Sequence, residues 1–75
     1  MKAHVEYTDT FSGEANYSWV KRTTFESEGM TQAQIRRKAK AELGLSGVPG
    51  KWCSYGDMHE FKPYRSCTVL FITFD

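Results

Sequence analysis

Residues 30–44, MTQAQIRRKAKAELG, decide the fold, because they carry both ends and the buried face of a helix. Thr31 is placed to cap a free backbone N–H, and Gln34, three residues on, reaches back to complete a capping box. At about 100° per residue, Ile35, Ala39 and Leu43 fall on one narrow, small-sided stripe suited to lying against a sheet. Gly44 follows at the position where a helix prefers a left-handed residue. The spacing therefore predicts a helix from Thr31 to about Leu43.

Toward the N-terminus the periodicity changes from helical to two-fold. From Lys2 to Thr8, residues His4, Glu6 and Thr8 alternate with Ala3, Val5 and Tyr7, the pattern of a half-buried strand. Asp9 to Glu14 carries loop residues. From Tyr17 to Phe25 a long strand is expected, with Tyr17, Trp19, Thr23 and Phe25 on one face and Lys21 interrupting it. The two segments predict a hairpin joined by a loop of six to eight residues.

Toward the C-terminus, Leu45 to Gly50 holds two glycines and Pro49 and reads as a loop. Lys51–Tyr55 and Met58–Lys62 flank Gly56-Asp57, a two-residue hairpin turn of the Gly-first kind. That register sets Trp52 opposite Phe61 and Cys53 opposite Glu60. Cys67–Phe74 is apolar on both parities, so it belongs inside the sheet, beside the first strand. The order is β-β-α-β-β-β. Residues 1–75 form a single α+β domain, a mainly antiparallel sheet of four to five strands with one helix packed across it.

The charges nearly balance, ten basic against nine acidic for a net +1, so total charge does not mark a nucleic-acid binder. The start, Met1-Lys2-Ala3-His4, has no apolar run resembling a leader. The longest apolar stretch, Val69–Ile72, is far below the ~20 residues of a membrane span. A cytoplasmic protein is expected. Cys53 and Cys67 are read as free thiols, able to oxidise in vitro only if they lie on adjacent strands.

Catalytic and metal chemistry find little support. His4, Cys53, His59 and Cys67 lack the close spacings of a structural zinc site, so no metal or cofactor is expected. Cys53 with His59 is the one pair suggesting nucleophilic catalysis, and nothing orients it. The glycines of residues 44–50 follow a helix instead of opening one, so they make no phosphate-cradling loop. The chain is read as a non-enzyme.

Two features suggest binding. Arg36, Arg37, Lys38 and Lys40 give four cations in five residues. They read either as a solvated face matched to the helix dipole or as a patch for an acidic partner. Eleven aromatic residues exceed what so small a domain can bury, so two or three are expected at the surface, with Tyr17 and Trp19 as partner anchors. The site predicted from sequence is Tyr17, Trp19, Arg36, Arg37 and Lys40.

Residues 5–20, VEYTDTFSGEANYSWV, and 55–63, YGDMHEFKP, resemble small proteins of unassigned role encoded by tailed bacteriophages and prophages. The resemblance covers about a third of the chain and carries over no site residue. It implies a phage origin, host cytoplasm as the location, and an accessory role. In that role the chain binds a host or phage protein, as anti-CRISPR-like inhibitors of host defence do by steric occlusion. Two alternatives stand beside it. One is a nucleic-acid binder using the basic helix face; the other is a structural protein that self-associates into a homodimer through an edge strand.

Overall fold

A computed structural model describes all residues, Met1–Asp75. It contains β1 (Lys2–Phe11), β2 (Glu14–Glu26), α1 (Gln32–Glu42), β3 (Gly50–Tyr55), β4 (Met58–Pro63) and β5 (Thr68–Phe74). The strands form one antiparallel sheet in the order β2-β1-β5-β4-β3. The doubly apolar segment β5 occupies the centre beside β1, as its composition predicts. Trp52 pairs with Phe61 and Cys53 with Glu60.

The helix forms for the reasons its sequence gives. Thr31 Oγ1 accepts the Gln34 N–H at 3.2 Å, and Gln34 Oε1 accepts the Thr31 N–H at 2.8 Å. Gly44 takes φ +75°, and Gly44 and Leu45 donate back to the carbonyls of Ala41 and Lys40. Ile35 and Ala39 are buried against Ala3, Val5, Phe25, Phe61, Leu70 and Ile72, with Leu43 alongside. All six sheet residues lie on one face, so α1 covers that face alone.

The first hairpin differs from expectation. Ser12 and Gly13, both at positive φ (54° and 83°), make a two-residue turn, and Phe11 pairs with Glu14. Such a turn matches the right-handed strand twist, and the loop-like stretch Asp9–Glu14 masked it. The irregularity lies further along. Thr8 pairs with Val20 and Thr10 with Ala15, so Asn16–Trp19 bulge outward opposite the single residue Asp9.

That bulge corrects the facial assignment of β2. Tyr17 adopts φ +56°, which reverses the alternation. Trp19, Lys21, Thr23 and Phe25 stay on the helix-covered face, whereas Tyr17 crosses to the opposite one. Cys53 and Cys67 are not on adjacent strands, because β4 separates β3 from β5. Two strand spacings are about 9.6 Å, beyond disulfide reach.

Candidate functional site

The helix-free face is lined by His4, Glu6, Arg22, Thr24, Met58, Phe71 and Thr73, with Tyr17 at its rim. Together they shape a depression of about 490 Å³. Tyr17 is 49% exposed, yet its ring is fixed. Its hydroxyl donates to Glu6 Oε1 at 2.7 Å, and Glu6 Oε2 accepts from Arg22 Nε at 2.9 Å. The bond to Glu6 also pushes the Tyr17 hydroxyl above its ordinary pKa, since ionisation would set two anions together.

Beneath Tyr17 the backbone is latched. Thr8, fully buried, accepts the Tyr17 N–H on Oγ1 at 3.1 Å and donates to the Trp19 carbonyl at 2.7 Å. Asp9 accepts from the Ser18 N–H and Asn16 Nδ2, both at 3.0 Å, and from the Ser18 hydroxyl. A left-handed conformation in a non-glycine residue costs about 1–2 kcal/mol. Thr8 and Asp9 supply the bonds that hold it.

Those bonds, led by the one from the Ser18 hydroxyl, lower the Asp9 pKa from 3.8 to about 2. A depressed carboxylate contributes stability that is complete above its unfolded value, declines as pH falls below about 3.8, and is gone below about 2. The Ser18 amide resonance is therefore expected to titrate with a midpoint near 2. Asp9→Asn should abolish that step. A midpoint at the ordinary aspartate value would show that the latch does not hold the carboxylate.

The helix-covered side places the predicted cations differently from a free basic patch. Arg36 Nη2 donates to His59 Nδ1 at 3.0 Å and to Ser54 Oγ at 3.1 Å, and its guanidinium stacks 4.7 Å from the Trp52 ring centroid. Because arginine only donates, His59 Nδ1 must be the acceptor, which leaves the proton on Nε2. Burial first, and then Arg36, hold the His59 pKa below its ordinary value, so the buried imidazole stays neutral. Lys40 Nζ donates to the Val48 carbonyl at 2.6 Å and sits 4.5 Å over the Phe61 ring. Arg37 is exposed and makes no hydrogen bond or ion pair.

The five predicted residues thus divide between two surfaces. Arg36, Arg37 and Lys40 meet in one groove with Ala33, Ser46, Gly47 and Trp52. Trp19 shares their face of the sheet but lies outside that groove, edge-on to Tyr7 at 5.3 Å. Tyr17 belongs to the opposite surface. Five aromatic side chains are exposed (Phe11, Tyr17, Trp19, Tyr55 and Tyr64), more than the two or three expected. An eleven-residue helix is about 16 Å long and covers only part of a molecule 36 Å in extent.

Sequence reasoning missed Thr8, Asp9, Glu6 and Arg22. Asp9 begins a loop-like stretch, whereas Thr8, Glu6 and Arg22 read only as the polar positions of two strands. Cys53 and His59 project to opposite faces of the sheet, so they form no nucleophile–base pair. Ser54 Oγ instead lies 3.4 Å from His59 Nδ1, where Arg36 already occupies that lone pair. No three His, Cys, Asp or Glu side chains converge as metal ligands, and no helix is long and apolar enough to cross a membrane. No family model, curated protein or solved structure matches the chain.

Proposed function

We propose that the chain is a protein-binding module that occludes a partner through its helix-free sheet face, with Tyr17 as the anchor. One observation carries this reading. A half-exposed tyrosine is held in a left-handed conformation by a buried threonine and an aspartate, and is braced by an ion pair. Strain of this kind concentrates where a side chain must be presented in one place. A pre-organised aromatic loses little freedom on binding, which favours it as an interface anchor. Phe71 and Met58 beside it supply apolar area, and Glu6–Arg22 supplies a polar rim.

The narrower reading, a phage accessory protein that blocks a host defence complex in the host cytoplasm, rests on the resemblance of residues 5–20 and 55–63 to phage-encoded proteins. The nucleic-acid reading is weaker, because Arg36 and Lys40 already serve contacts within the fold. Affinity capture from infected and uninfected bacterial lysates, with wild type, Tyr17→Ala and Trp19→Ala in parallel, tests the proposal. A partner recovered by wild type and Trp19→Ala, with affinity for Tyr17→Ala reduced at least about tenfold, is expected for an anchor residue. Equal recovery by all three, or no partner in either lysate, would overturn it.

A further inference from the structure

We propose that the groove between α1, the loop of residues 44–49 and Trp52 binds a small phosphate monoester, held by Arg37, Lys40 and Ser46. Its lining is Ala33, Arg36, Arg37, Lys40, Ser46, Gly47 and Trp52, and this open groove has a volume of about 570 Å³. Three cations face it and no carboxylate does. The protein's ion pairs all lie elsewhere, at Met1–Glu26, His4–Asp75 and Arg22–Glu6. This leaves Arg36, Arg37, Lys38 and Lys40, four cations within five residues, without an ion-pair partner in a nearly neutral chain.

The donors are partly pre-set. The Val48 carbonyl and the Phe61 ring fix Lys40 Nζ, which leaves only its remaining donor capacity for a ligand. Arg36 is committed to His59, Ser54 and Trp52, so it contributes charge more than bonds. Its Nε is the one buried side-chain donor without a protein partner. Arg37 and the Ser46 hydroxyl make no internal hydrogen bond, and both are exposed at the groove. The carbonyl end of α1 would repel an anion, but the Lys40 and Ala41 carbonyls already accept N–H groups from Leu43, Gly44 and Leu45.

Cations that converge on one depression favour a compact dianion over a polymer. A nucleic-acid strand would need cations along a track, and an acidic peptide would spread its charges beyond a groove of this size. The volume lies in the range of small-ligand sites, roughly 300–1,000 Å³. A tetrahedral phosphate also accepts from an arginine fork, an ammonium and a hydroxyl together. This surface is separate from the Tyr17 face, so either proposal can fail alone.

The test is an amide-resonance titration of the whole chain at constant ionic strength. The probes are inorganic phosphate, O-phosphoserine and adenosine 5′-monophosphate, with sodium chloride and an Asp/Glu hexapeptide as controls. Saturable shifts confined to Arg37, Lys40, Ser46, Gly47 and the Trp52 indole are expected. Arg37→Gln, which removes no hydrogen bond or ion pair of the fold, should weaken binding about tenfold, or 1.4 kcal/mol. Lys40→Gln should weaken it at least as much. Equal affinity for the three phosphates assigns the groove to the phosphate group alone; tighter binding of the nucleotide assigns it to a nucleotide source. Shifts spread over Lys2, Lys21, Lys51 and Lys62, the same shifts with chloride, or stronger binding of the hexapeptide would each overturn the proposal.

Discussion

Phe61→Ala is expected to lower the stability of the domain by about 3–5 kcal/mol, the usual cost of emptying a phenylalanine site in a packed core. Phe61 is 1% exposed and is the largest fully buried side chain. It packs against β3 twice and against the helix once. Its ring lies against Trp52 at 4.9 Å, seats Lys40 Nζ at 4.5 Å and fills the space over Gly50. Domains of this size are stable by only about 4–11 kcal/mol, so the variant should populate unfolded chain in mild denaturant. Equilibrium urea unfolding checks this. A loss under about 1 kcal/mol would mean that neighbours collapse into the space and that the core is not centred on this ring. Trp52 fluorescence should shift in the same variant, because its packing partner is gone.

The second large effect is expected at a glycine. In Gly50→Ala the new Cβ would sit 2.5 Å from the Lys62 carbonyl oxygen and 2.6 Å from Cε1 and Cζ of Phe61. Neither neighbour can retreat easily. The carbonyl belongs to the β3–β4 pairing, and the ring is locked in the core. Overpacking of this kind costs typically about 1–3 kcal/mol and occasionally more. Gly47→Ala provides the contrast. Its Cβ would meet nothing within 4 Å, and only the backbone strain of φ +80° remains, about 1–2 kcal/mol. Gly50→Ala should therefore be the more damaging of the two in thermal or urea unfolding. The reverse order would show that the β3 edge moves freely. In a Phe61→Ala background the cost of Gly50→Ala should shrink without vanishing, because the ring contacts disappear and the contact with the Lys62 carbonyl persists.

Most of the architecture was legible in the sequence. The capping box, Gly44 and the Ile35/Ala39/Leu43 stripe are local signals that set the ends and buried face of the helix, and packing of that face against the sheet stabilises it. The pairing of Trp52 with Phe61 followed from a two-residue turn, which fixes register by geometry. The central position of β5 followed from apolar residues on both parities. The hairpin of β1 and β2 was not legible, because the Ser-Gly turn sits in a loop-like stretch and the bulge Asn16–Trp19 carries aromatics that read as strand alternation. The aromatic chemistry of Tyr17 is legible in the sequence, but strict alternation assigns it to the wrong face. Strict alternation fails wherever one residue turns left-handed, and only Thr8 and Asp9, reaching across from the neighbouring strand, make Tyr17 do so.

The cations carry the same lesson. Sequence grouped Arg36, Arg37 and Lys40 on the flank and back of a helix. It could not say that Arg36 would meet His59 and Trp52, or that Lys40 would meet Val48 and Phe61, because those partners come from strands and loops that approach only on folding. What the sequence determined was the elements, their order and the apolar face of each except at the β2 bulge, since these depend on neighbours within a few residues. Tertiary structure alone decided which aromatics stay exposed, which cations remain free and which face carries Tyr17. Those outcomes depend on contacts between residues far apart in the chain, where a single bulge carries Tyr17 to the opposite face while Trp19 and the strand beyond it keep theirs.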